Sequence, residues 1–122
     1  MASDPDFLAY VLDQIDPMRA GGPVSSRRMF GEYALYSGTK VVALLCDNRL
    51  YVKSTPAGEH YSAGNATPAA PFPGAKDWLR IDEALDDRAW VSTLIRLTAQ
   101  ALPEPKPRAP RKPRQVRPTG TP

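Results

Sequence analysis

The sequence predicts an α+β domain: an antiparallel sheet of about five strands, with helices at both ends of the chain. Three observations carry this expectation. Nearly all the β-forming residues lie in one block, from Arg28 to Lys53. Two turn signals, Ser37-Gly38-Thr39 and Asp47-Asn48, divide that block, and turns this short join antiparallel neighbours. Apolar residues at helical spacing flank the block on both sides.

The first helix is expected over residues 4–18. Ser3 is placed to cap it, Pro5 suits its first turn, and Asp4 and Asp6 favour the positive end of its dipole. Phe7, Val11, Ile15 and Met18 fall on one face, widened by Leu8 and Leu12. Gly21-Gly22-Pro23 ends the segment, and the first strand runs from Val24 to Phe30. Arg27 and Arg28 in that strand point to opposite faces. Two readings stand for them: one solvated and one paired with a carboxylate such as Glu32, or a contact for an anion or partner at an exposed strand end.

Gly31 marks a bulge or a close backbone approach. In the next strand Tyr33 and Leu35 share one face, Ala34 and Tyr36 the other. Val41–Leu45 is a continuous apolar run, as in a strand buried on both faces, and Leu50-Tyr51-Val52 follows the second turn. Thr55 caps a short helix with Pro56 at its first position. Residues 64–76, rich in Gly, Pro and Ala, form a loop in which Phe72 anchors onto the sheet. Asp77–Ile81 is a fifth strand. Asp86 caps the last helix, whose face is Trp90, Leu94, Leu97 and Ala101, and Pro103 stops it. The resulting order is α-β-β-β-β-α-β-α.

The 122 residues predict one folded domain over 1–102, and 42% hydrophobic content suffices for a single core. From 103 to 122 there are seven prolines and one large aliphatic residue, so a disordered basic tail is expected there. Lys106, Arg108, Arg111, Lys112, Arg114 and Arg117 against Glu104 give the tail +5, which leaves 3 − 5 = −2 for the rest. A lone cysteine, Cys46, excludes an internal disulfide, and its apolar surroundings mark a buried small hydrophobe. Neither a signal peptide nor a stretch of the ~20 apolar residues that spans a bilayer is visible, so a soluble, cytoplasmic protein is expected.

No catalytic, cofactor-binding or metal-binding residue is expected. The single histidine, His60, has no second histidine or cysteine to complete a metal site, and nucleophile elbows and phosphate loops are absent. Asp86-Asp87 resembles a carboxylate pair, but capping explains it. A small enzyme of unrecognised type is thus the weakest of three functions. The main one is a binding or regulatory module, with Arg28, Tyr33, Tyr36, Arg49, Tyr51 and Lys53 as partner contacts; cross-strand packing is the competing role of the tyrosines. Phe30, Tyr36 and Tyr51 would also leave an apolar patch on which two copies could pair. The third is non-specific nucleic-acid binding through the six tail cations, for which the competing role is solubility alone.

Arg28-Met29-Phe30-Gly31-Glu32-Tyr33-Ala34-Leu35-Tyr36, then Asp47-Asn48-Arg49-Leu50-Tyr51-Val52-Lys53 and Pro71-Phe72, resemble the signature of the TfoX/Sxy N-terminal domain family. The resemblance covers about residues 4–102, with Glu32 where the family often has a second glycine. It implies a secretion-chaperone-like α+β fold and a role around transcriptional regulation of natural competence. Longer members carry that role with a C-terminal helical domain. Here a stand-alone domain is expected, with the basic tail in that place and a protein partner such as a transcription regulator. The resemblance implies no active site and no cofactor.

Overall fold

Strands β1 (Val24–Met29), β2 (Glu32–Ser37), β3 (Lys40–Cys46) and β4 (Arg49–Val52) follow one another as an antiparallel meander in a computed structural model. The structure describes residues 3–29 and 32–103. The readings at Phe30 and Gly31, and those of the tail from Glu104 onward, therefore lie outside the described residues. Two-residue turns set the meander. Gly38 at φ +63° takes the first central position of one, and Asp47 and Asn48, at φ +54° and +56°, form the other. Paired left-handed residues match the twist of a hairpin.

The sheet holds six strands rather than about five. Thr67–Ala69, inside the expected loop, is a strand, β5, at the sheet edge beside β6 (Trp78–Ile81), giving the order β1-β2-β3-β4-β6-β5. Three residues centred on a proline have no periodicity to read, and only the pairing with β6 makes them a strand. A short edge strand with proline also resists pairing with other chains.

The four helices among the described residues are α1 (Pro5–Gln14), α2 (Pro17–Ala20), α3 (Pro56–Tyr61) and α4 (Arg88–Ala101), with a 3₁₀ turn at Glu83–Asp86. The expected helix over 4–18 is two helices. Pro17 cannot continue α1 and starts α2, with Asp16 as its cap accepting from Met18 N at 3.1 Å. The backbone groups freed by the break are taken by Ser92 of α4, which is fully buried: its hydroxyl accepts from Asp16 N at 2.8 Å and donates to Gln14 O at 3.2 Å. Met18 consequently leaves the helix face and is 90% exposed.

Two further caps differ from expectation. Asp87, not Asp86, caps α4, accepting from Trp90 N, while Asp86 accepts from Tyr10 Oη and ties the 3₁₀ turn to α1. Ser3 does not cap α1; its hydroxyl donates to Glu32 Oε1 at 2.7 Å and accepts from Asn48 N at 3.1 Å. Thr55 caps α3 as expected, accepting from Gly58 N at 3.0 Å. Gly58 is where α3 meets α4, since a Cβ there would lie 3.4 Å from the Leu94 side chain.

One face of the sheet receives every helix. Val11 of α1 and Ile15 just after it, Val91, Leu94 and Ile95 of α4, and Tyr61 and Trp90, stacked at 5.4 Å, pack with Tyr33, Leu35, Leu45, Leu50, Val52 and Ile81. The buried stripe of α4 runs through Val91, Leu94, Ile95 and Thr98, one position off the Trp90–Leu94–Leu97–Ala101 line, and Ala101 is exposed. The register shift at Leu35/Tyr36 inserts Val42 as an extra residue of β3 and turns both Val42 and Ala43 toward this core. Ala34, Leu44, Cys46 and Tyr51 form a second cluster on the opposite face, with Tyr36, Val41, Ala69 and Trp78 against it. No helix residue belongs to that cluster. The β3 run is thus buried on both faces, as its composition predicts.

Candidate functional site

The helix-free face of the sheet is built by alternation along each strand. Tyr36 and Ala34 of β2 lie opposite Ser25 and Arg27 of β1. Leu44 and Cys46 of β3 lie opposite Tyr51 and Arg49 of β4, and Tyr51 lies opposite Arg80 of β6. Residues directly opposite share a face. The result is an aromatic and aliphatic floor ringed by cations. Arg27 stands over the Tyr36 ring at 5.5 Å and Lys53 over the Trp78 ring at 5.8 Å, cation–π contacts that keep both charges at the surface. Arg80 pairs with Asp82 at 3.1 Å, whereas Arg27, Arg49 and Lys53 have no ion pair among the described residues. Glu32, at the start of β2, is engaged by Ser3 and by Asp47 N at 3.3 Å and makes no ion pair with Arg27 or Arg28.

Of the six residues expected to contact a partner, four share this face: Tyr36, Arg49, Tyr51 and Lys53. Arg49 and Lys53 are exposed, Tyr36 is half-buried, and Tyr51 is buried in the floor. The other two do not join them. Tyr33 is a residue of the helix-side core, only 8% exposed, because alternation sends it with Leu35. Arg28 pairs with Tyr33 across β1 and β2 and stands exposed on the edge strand, on the opposite side from Arg27. Arg27, one of the two arginines that the sequence offers as a contact at the strand end, belongs to the face, as do Trp78 and Arg80, which the sequence does not single out. Counting in twos from Tyr36 and Tyr51 across the register reaches them, but the register is a tertiary property. The tail cations Lys106, Arg108, Arg111, Lys112, Arg114 and Arg117 lie outside the described residues.

At one end of the face a pocket of about 340 Å³ opens between Met29, Leu44, Cys46, Pro71 and Phe72. Phe72 covers it from the loop side yet stays 53% exposed, so it is less of an anchor than expected. Cys46 is buried, and burial, followed by the nearby Glu32 carboxylate, pushes its thiol up to about 11. The folded protein therefore holds a neutral thiol where the unfolded chain begins to ionise. Alkylation of Cys46 by iodoacetamide at pH 8 should run at least about tenfold slower in the native protein than in urea; the lower thiolate fraction outweighs the higher nucleophilicity of a more basic thiolate. Equal rates would place the thiol at the surface. Because the folded-state value is raised, stability should be flat below about pH 8.5 and fall as pH rises toward 11.

His60 is exposed on α3, and no group of three metal-ligating side chains occurs among the described residues. Asp86 and Asp87 are both occupied, by Tyr10 and by the α4 cap. No described helix is long and apolar enough to cross a membrane.

A six-stranded antiparallel sheet with helices on one face and a cation-ringed apolar floor on the other makes this an α+β domain. The chain belongs to the TfoX N-terminal domain family, whose pattern it matches over residues 14–102. It is also 45% identical over 111 residues to a protein of Spirochaeta aurantia described as an uncharacterized 12.7 kDa protein in the trpE 5' region. That match covers 88% of this chain and 90% of the other.

Proposed function

We propose that this protein is a non-enzymatic, cytoplasmic regulatory or adaptor domain that takes a protein partner on the helix-free face of its sheet. Family membership supports a regulatory domain in general. The observation that carries the finer reading is the gathering of Tyr36, Arg49, Tyr51 and Lys53 on one face that no helix covers. Its chemistry selects the partner. Unpaired cations around an aromatic floor favour a segment that carries acids beside apolar side chains, with the aromatics as anchors and the charges setting orientation and on-rate. A transcription regulator bearing such a segment is the partner we favour. The basic tail adds weak, salt-sensitive attraction to nucleic acid.

The double variant Arg49→Glu/Lys53→Glu should abolish capture of the partner from a cleared lysate and leave the thermal melt unchanged, since both side chains are exposed. Capture at the wild-type level would overturn the reading. Light scattering at two concentrations separates a partner from a second copy: if charge reversal converts a dimer to a monomer, the face is a self-association surface and the adaptor reading fails.

A further inference from the structure

Away from this face, three segments meet around a pocket of about 570 Å³: the Gly21-Gly22-Pro23 link, the Ser37–Lys40 hairpin turn, and the end of α4 at Arg96 and Ala99. That size suits a small metabolite. Arg96 is the unusual residue. It is half-buried and makes no hydrogen bond or ion pair with any described residue, and its Nε is sealed from solvent without an acceptor. A guanidinium is always charged and has only donors, so one whose end no described residue engages, at the wall of a pocket, is a place for an anion. The surroundings agree. No aspartate or glutamate is among the described residues lining the pocket. Lys40 adds a second positive charge, its Nζ held on Ala99 O at 2.8 Å. Gly22 and Gly38 have open space where a side chain would stand, and their positive φ favours glycine, so a ligand can approach the bare backbone. A side chain at Gly21 would meet the Arg96 stem, its Cβ 3.4 Å from Arg96 Cγ.

We propose that this pocket binds a small phosphate-bearing molecule, with the Arg96 guanidinium taking the phosphoryl oxygens. A phosphomonoester carries about −1.5 to −2 charges and three strong acceptor oxygens, which suit the planar guanidinium fork better than a single carboxylate does. Titration of the ¹⁵N-labelled full chain with inorganic phosphate, and separately with acetate, tests this at low ionic strength and fixed pH. Phosphate should shift the Gly21, Gly22 and Gly38 amides along a saturating curve, with acetate weaker. Arg96→Gln should weaken that response at least tenfold, Arg96→Lys should restore part of it, and Lys40→Gln should weaken it less. Shifts of residues beyond 103 should be the same in wild type and Arg96→Gln. The proposal fails if the glycine amides do not respond, if Arg96→Gln or Lys40→Gln binds as the wild type does, or if acetate matches phosphate.

Discussion

Leu45→Ala is expected to lower the unfolding free energy by about 2–5 kcal/mol, the range for a buried leucine truncated where neighbours cannot close in. Leu45 is fully buried on β3, between Tyr33 of β2 and Leu50 of β4, beneath the helix layer. Backbone pairing on both sides holds those neighbours, so the cavity persists. A domain of this size melts about 4–8 °C lower for each kcal/mol lost, so urea and thermal denaturation should both register the change. Leu44→Ala, one residue away, is the comparison. Leu44 faces the helix-free side, is 9% exposed, and borders the 340 Å³ pocket. Truncation there widens an existing opening instead of creating a closed void, so the cost should fall near the lower end, about 2 kcal/mol. Equal costs would mean that the second face is as firmly covered as the core, which contradicts a free binding surface. A Leu45→Ala cost below about 1 kcal/mol would remove the helix-side cluster as the organising core.

The difference between these two leucines also explains what can be read before the fold is known. Period two in Tyr33-Ala34-Leu35-Tyr36 separates the faces correctly, because strand geometry is local. Asp47-Asn48 and Thr55-Pro56 are local signals too, and each forms the turn or cap its chemistry favours. Which face the helices cover is not local. Nothing in β2 says that the Tyr33 side is core and the Tyr36 side is open; that follows from where α1 and α4 dock. The same limit hides the break after Gln14, since the group that satisfies it, Ser92, lies in the last helix. It hides the pocket at Arg96 as well, which in sequence is only an arginine on the weaker face of α4. Segments joined by pairing alone, such as Thr67–Ala69, are invisible for the same reason.

Removal of residues 104–122 should abolish binding to duplex DNA and single-stranded RNA while changing the unfolding free energy by no more than ~0.5 kcal/mol. The charge partition motivates this: the tail holds +5 and the remainder −2, so long-range attraction to phosphates belongs to the tail. Each phosphate neutralised on duplex DNA contributes about −0.9 to the slope of log K against log salt. Six tail cations therefore set a steep upper bound, a loss of about 10³-fold in affinity between 50 and 200 mM salt. The tail has no aromatic residue to stack on bases, so duplex and single strand, whatever their sequence, should bind with similar weakness. The sheet face carries cations of its own, and Arg49→Glu/Lys53→Glu in the full-length chain keeps the two sources apart. It should leave the salt slope unchanged, because a partner-binding face and a counterion-releasing tail act through different charges. A shortened chain that still binds one DNA sequence tightly, with little salt dependence, would transfer nucleic-acid recognition to the folded domain and end the adaptor reading of its open face.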